Sequence, residues 1–467
     1  MTVEGKLWWE AHFDEFLSDF ETLIAIPSVS RKAEGNLTAP YGQPCVDVLK
    51  AVEAIAKRFG FDFFIDGNRY ALLVWEGEKK ETIGLFSHMD VVPAGPGWQY
   101  PPFELTALDD IYIGRGTGDN KGPALAVLYS LRYLKESGWK PKHTIWHFFG
   151  VNEECGMEDI DYFTERNPMP VFSLVPDSSF PVCFGEKGLV ELDANRSLAS
   201  DSLLQEWASG VASNSVPGLA EALVAVDYEK LSARINDPRI KVEPAEGGVK
   251  VTAQGKSAHA AFPEGSESAQ NILAEALLDS GLFPDSDESF FKGLLSLFGD
   301  YYGEGIGVPF SDELSGKLTH VGGYSKLSGR VFQQNINIRY NLKADSDVVL
   351  ENTKKALAEQ GFSIVSCHVN KPMYVERSLP IIDKLTLIAN EELGLNLEPY
   401  VMGGGTYARH LKNAVGYGPG GIPGDDSAFG TSRGHGHQPD EYISKTKLGA
   451  AFKVYVRAVP EVDSFFG

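Results

Sequence analysis

Between residues 82 and 175 the chain alternates short apolar runs with one long helical stretch, and this alternation restricts the fold more than any other feature. Residues 82–87, 144–150 and 171–175 have the length and composition of buried strands, and 122–138 carries a mostly apolar helical pattern between the first two. A strand, a long crossover and a second strand is how parallel pairing is written in a sequence, because a tight hairpin joins only antiparallel strands. The expectation is therefore an α/β layer architecture with a mixed, mostly parallel sheet flanked by helices. Residues 8–24 and 45–59 add two amphipathic helices, stopped by Pro27 and Gly60, and 70–75 adds a further strand.

After Gly185 the pattern changes. Residues 248–254 and 335–341 read as strands, 346–360 as an amphipathic helix, and 331–342, helix, 362–367 as a strand-helix-strand unit of a small α+β domain. From about residue 381 the α/β style resumes, with a helix over 381–393, a short strand over 399–402 and then Gly403-Gly404-Gly405. The simplest organisation is a catalytic domain built from residues 1–186 and 377–467, interrupted by an inserted lid over 187–376. A chain of 467 residues is long enough for two cores.

The net charge of -22 argues against nucleic acid and against an anionic membrane surface as partners. No apolar run approaches the ~18–20 residues that spanning a bilayer needs. The first residues, Met1 to Lys6, show no basic region followed by an apolar run, so no secretory leader is expected. Four scattered cysteines without a CxxC spacing suit reduced thiols, and a cytoplasmic location is the expectation.

Chemistry concentrates in five short segments: Ser87-His88-Met89-Asp90-Val91, the Gly-flanked turn containing Asp119, Asn152-Glu153-Glu154-Cys155-Gly156, Val175-Pro176-Asp177, and His437-Gln438-Pro439-Asp440-Glu441. His88, Glu153 with Glu154, and Asp177 each follow a predicted strand, where open α/β sheets bind their ligands. Imidazole nitrogen and carboxylate oxygen are donors for zinc and similar ions. His88 and Asp90 share a face of an extended segment, so the Asp90 carboxylate can orient the ring. Adjacent acids at 153 and 154 point differently, which lets one ligate while the other serves as a general base. Each motif alone is commonplace; their joint order on strand ends is not. His435, two residues before His437, competes for the ligand role, and the HxxDE frame selects His437. His143 and His147 flank a buried strand and read as structural.

This ordered set resembles the co-catalytic di-zinc metallopeptidase family that includes carboxypeptidase G, aminoacylase, succinyl-diaminopimelate desuccinylase and the Xaa-His dipeptidases. The resemblance spans nearly the whole chain, from Ile26-Pro27-Ser28-Val29-Ser30 to the His437 segment. It favours the PepV-type bacterial dipeptidase branch through Gly95-Pro96-Gly97-Trp98, residues 114–123, and Gly404-Gly405-Thr406-Tyr407-Ala408-Arg409. It implies two divalent ions, zinc by preference, with manganese or cobalt fitting the same donors. His88, Asp119 and Asp177 would hold one ion and Asp119, Glu154 and His437 the other, with Asp119 bridging. Glu153 would take the proton of a water held between the ions, and Asp90 would fix His88. Asn120 stands where many relatives have a second Asp, and the resemblance implies a cis Asp119-Asn120 bond.

In the lid, the resemblance assigns His259, within Gly255-Lys256-Ser257-Ala258-His259, and Asn214 to the oxyanion. Arg339, with the Gly405 and Thr406 backbone, would hold a substrate carboxylate. The implied activity is hydrolysis of a small peptide by a dipeptidase. The alternatives are an N-acyl amino acid amidohydrolase of aminoacylase or desuccinylase type, and a metal-dependent binding protein without turnover. The long lid implies a monomer, with a dimer as the alternative.

Overall fold

The computed structural model describes residues 3–422, 428–430 and 433–467. The chain divides into two compact units, one of Met1–Gly185, Tyr374–Tyr400 and Gly405–Gly467, the other of Glu186–Met373 and Val401–Gly404.

The first unit is built on a mixed sheet with a parallel centre. His143–Gly150 pairs in parallel with Lys79–His88, which pairs in parallel with Phe172–Val175, which pairs in parallel with Ala414–Gly416. Asp62–Asp66 and Tyr70–Trp75 extend the His143–Gly150 side as antiparallel strands. Ile83, Leu85, Phe86, Phe148 and Phe149 are fully buried. This is why these segments read as continuous apolar runs rather than as alternating ones: helices cover both faces of a parallel sheet. Register sets His88 opposite Gly150, so the first ligand segment and the acid-pair segment leave the sheet side by side.

Lys121–Glu136 is the buried crossover helix between the first two parallel strands. It packs against Lys445–Phe466, and the Ser130 hydroxyl donates to the Phe452 carbonyl across that contact (3.1 Å). The terminal helix is absent from the sequence reading, because Pro460 lies inside it and proline normally ends a helical pattern. Its start is marked by Ser444, whose hydroxyl accepts from the Lys447 N–H. No helix among the described residues is long and apolar enough to cross a membrane.

The second unit is an α+β layer. Its main sheet runs Ile240–Ala245, Gly248–Gln254, Leu219–Val224, Leu204–Ser209, Ser325–Ser328, Val331–Tyr340, Gly188–Ser197, Ser363–Asn370, with Thr319–Val321 also on Val331–Tyr340. The predicted strand-helix-strand unit is present, with Ser346–Glu359 as its helix, but Gly188–Ser197 lies between its two strands. Val190, Leu192, Ile336 and Ile338 join Leu273, Leu277 and Leu294 of the helices Ala269–Asp279 and Asp285–Phe298 in the apolar core. Alternate residues carry the opposite character: Asn335 faces Asp193 and Asn337 faces Glu191 in register, each pair joined by a 3.2 Å hydrogen bond. One face of this sheet is thus a core and the other a polar surface.

Candidate metal centre

The acids and histidines singled out in the first unit converge. His88 ends the strand Lys79–His88 and is fully buried. Its Nε2 lies 3.0 Å from Asp119 Oδ1 and 3.6 Å from Asp177 Oδ2. His437 Nε2 lies 3.0 Å from Glu154 Oε2 and 3.3 Å from Asp119 Oδ2. Asp119 therefore presents one oxygen to each histidine. Ligand atoms of His88, Glu153 and Asp177 lie within 4.8 Å of one another, as do those of His88, Asp119 and Glu154. The Asp119–Asn120 peptide bond is cis.

The electrostatics of this cluster call for cations. Burial pushes the Glu153 carboxyl well above the usual range, and the neighbouring Asp177, Glu154 and Asp119 add to it. Burial and the Asp119 charge push Asp177 up to about 7. Burial works against protonation of His437, yet hydrogen bonds to Asp119 and Glu154 raise it to about 11. Burial likewise opposes a charged His88, which the contacts with Asp119 and Asp90 hold well above the ordinary imidazole value. Glu153, Glu154 and Asp177 are poorly tolerated as bare anions this close and this buried, while His437 and His88, against burial, hold Asp119 below the usual carboxylate range; divalent ions would pair the acids. The donors are nitrogen and oxygen only, in two overlapping groups, which fits two ions sharing Asp119.

Buried acids that are not candidate ligands hold the ligand loops. Glu441 Oε1 accepts from the backbone N–H groups of Gly116 (3.1 Å), Gly118 (3.0 Å) and Asp119 (3.0 Å), while Oε2 accepts from Arg115 (2.6 Å). Asp90 meets both His88 and the acid-pair turn. The acceptor for His88 Nδ1 is the Asp90 main-chain carbonyl, at 3.0 Å, and the carboxylate is 3.5 Å away. That carboxylate also accepts from the N–H groups of Glu153 (3.1 Å) and Glu154 (3.0 Å), the first donors of the 3-10 turn Glu153–Cys155. Helical turns leave such donors unsatisfied, and a carboxylate is their best partner. Asn120, in place of a second acid, donates weakly to Asp177 Oδ1 (3.4 Å).

His143 and His147 are structural. His143 pairs with Asp463 (2.9 Å), and His147 is buried against the Ser87 hydroxyl (2.9 Å). His435 is exposed and, with Asp119, Asp177, Ser178 and Lys447, lines a cavity of about 220 Å³. Thr406 is buried, and its hydroxyl caps the short turn Tyr407–His410 by accepting from the Ala408 N–H (3.1 Å). A Cβ at Gly405 would sit 1.9 Å from the Arg409 guanidinium, so a side chain there would have to displace that group.

In the second unit, Asn214 and His259 are neighbours. Ser215 bridges to His259, and the Ala260 N–H donates to the Asn214 carbonyl (2.8 Å). His259 Nδ1 accepts from the Ala261 N–H (3.2 Å), so the neutral ring carries its proton on Nε2. Arg339 is largely buried on the polar sheet face; it donates through Nε to Asn337 Oδ1 (2.9 Å) and through a terminal nitrogen to the Gly403 carbonyl (3.1 Å).

A model of peptidase family M20/M25/M40 matches residues 84–461. The chain belongs to this family. The M20 peptidase is 31% identical over 466 residues to a Staphylococcus aureus (strain bovine RF122 / ET3-1) protein provisionally named a dipeptidase, with 96% of each chain covered. Its fold is similar to that of the Saccharomyces cerevisiae di-peptidase Dug1p, with a TM-score of 0.58, 16% identity and 97% of both chains covered. It is also similar to a dinuclear metal binding M20 peptidase of Bacillus subtilis, with a TM-score of 0.51, 11% identity, and 97% of this chain and 99% of that one covered. The protein is thus a peptidase of mixed α/β fold that acts on peptide bonds, with candidate metal ligands in its first unit.

Proposed function

We propose that this M20 peptidase is a metal-dependent dipeptidase. The observation that carries the reading is the placement of Glu153: its carboxylate lies with His88 and Asp177, next to the cluster in which Asp119 reaches both His88 and His437. The dipeptidase names of the S. aureus relative and of Dug1p support the substrate class. His88, Asp119 and Asp177 would hold one ion and Asp119, Glu154 and His437 the second, with zinc favoured by the donors and manganese or cobalt as alternatives. Such ions supply Lewis-acid polarisation of the scissile carbonyl and a water of lowered pKa.

The residues do the rest. A carboxylate oxygen of Glu153 takes the proton of the attacking water and then delivers it to the nitrogen of the leaving residue. His259 Nε2–H, assisted by Asn214, donates to the carbonyl oxygen as negative charge develops. The Arg339 guanidinium and the Gly405-Thr406 backbone hold the terminal carboxylate, which restricts substrates to short peptides. Four cysteines without a disulfide are in keeping with a cytoplasmic protein, and the long insertion with a monomer.

The test is a turnover assay of the chelated protein on dipeptides and on N-acyl amino acids, repeated with each candidate metal. Dipeptide hydrolysis should vanish on chelation and return with zinc, manganese or cobalt. Faster turnover of N-acyl amino acids, or hydrolysis by the metal-free protein, would overturn the reading.

A further inference from the structure

Asp159 ties together two segments of the first unit that the proposed chemistry uses separately. It is fully buried in the helix Glu158–Thr164. Its Oδ2 accepts from the N–H groups of Val151 (2.7 Å) and Asn152 (2.9 Å), the two residues that lead into Glu153. The same oxygen accepts from the Tyr407 hydroxyl at 2.5 Å, and Tyr407 directly follows Gly405 and Thr406. Oδ1 is occupied by the Ile160 N–H (2.8 Å). One carboxylate oxygen thus joins the base loop to the turn assigned to the substrate carboxylate.

The surroundings are built around this junction. Gly150, the last residue of its strand, could not carry a side chain: a Cβ would lie 1.9 Å from the Tyr407 hydroxyl oxygen and 2.4 Å from Asp159 Oδ2. The Gly150 carbonyl accepts from the Met89 N–H (2.8 Å), so the His88-Met89-Asp90 segment is anchored at the same strand end. The Tyr407 ring is buried and meets Phe148 edge-on, with centroids 5.4 Å apart, and faces His88 at 6.5 Å in the same manner. Ring packing fixes the phenol, and the hydrogen bond fixes its tip.

We propose that the Tyr407–Asp159 hydrogen bond is a positioning link that sets the span between Glu153 and the Gly405-Thr406 turn, and that this span makes the enzyme select dipeptides over longer peptides. The inference rests on the dipeptidase reading above. A dipeptide carries its terminal carboxylate at a fixed reach from the scissile carbonyl, and each added residue moves it by up to about 3.3–3.6 Å. A rigid span rejects that displacement, because a misplacement of about 1 Å already costs on the order of a hundredfold in rate. A loose span would tolerate it.

Tyr407→Phe keeps the ring and removes only the link. In the metal-loaded full-length protein, with Ala-Ala and Ala-Ala-Ala as probes, it should lower dipeptide kcat/KM roughly tenfold, chiefly through KM, the scale of one lost hydrogen bond. The dipeptide-to-tripeptide ratio should fall with it, metal content should match the wild type, and amide exchange at residues 405–408 should quicken. In an Asp159→Asn background, Tyr407→Phe should add nothing further to the loss of selectivity. An unchanged ratio in Tyr407→Phe, or additive effects of the two substitutions, would overturn the link. A wild-type protein that hydrolyses no dipeptide would sink the dipeptidase reading and the link together, and is told apart because it needs no variant.

Discussion

In the first unit, the Asp119 loop and the Glu153–Glu154 segment are tied down by buried carboxylates that are not themselves candidate ligands. Glu441 holds the Asp119 loop, Asp90 holds the Glu153–Cys155 turn, and Asp159 holds the approach to it. In the second unit, the contacts of His259 and Arg339 are of another kind. His259 forms an isolated backbone bridge with Ser215, and Arg339 lies within the regular strand Val331–Tyr340 and donates to Asn337 and to the Gly403 carbonyl. The difference follows from charge. Clustered acids repel one another and need their loops clamped before a cation arrives, whereas a single guanidinium on a sheet strand is positioned by the backbone ladder. Lesions in the first unit should therefore spread to metal binding, and lesions in the second should stay local to the substrate.

Glu441→Ala should have the largest effect. It leaves Arg115 as a buried charge without its 2.6 Å partner and frees three backbone donors of the Asp119 loop. Breaking a buried pair in this way costs about 3–5 kcal/mol. Denaturant unfolding should show a loss of that order, and metal analysis should show less than the wild-type stoichiometry. Full metal content with unchanged stability would break the comparison.

Arg339→Ala should act differently. KM for dipeptides should rise about 10–100-fold, the scale of a lost charged hydrogen bond, with metal content unchanged. Loss of metal in this variant would show that the second unit is not local in its effects.

A third substitution separates a structural histidine from the clustered ones. Burial pushes His147 down to about 3. Between that value and the ordinary 6.5, the unfolded chain binds a proton that the native state refuses, so this residue's contribution to stability is intact above pH 6.5 and declines as pH falls toward 3. His147→Phe should flatten the acid side of the stability-pH curve by up to a few kcal/mol, as measured by urea unfolding at several pH values. An acid slope identical to the wild type would contradict this assignment.

Much of the candidate centre was legible because its ligands sit in short segments at strand ends. His88, Glu153, Glu154 and Asp177 were placed by the apolar runs before them, and the parallel pairing of those runs brings the segments together. What escaped was everything that depends on contacts far apart in sequence. Nothing around Glu441 reveals that its carboxylate will meet Gly116 and Asp119, more than three hundred residues earlier. Sequence spacing also cannot tell whether the carboxylate or the carbonyl of Asp90 comes nearer to His88 Nδ1. The terminal helix was hidden by Pro460. In the second unit, the strand Gly188–Ser197 was missed because only pairing on both sides defines its place.

The most direct test of the account is Glu153→Gln, which keeps the shape of the side chain and removes its capacity to take a proton. Metal analysis and steady-state turnover on one preparation give both halves of the answer. The account predicts two divalent ions per chain as in the wild type, with dipeptide kcat lower by roughly a hundredfold to ten-thousandfold, the range a general base supplies. A variant that binds both ions and still turns over dipeptides at the wild-type rate would contradict it.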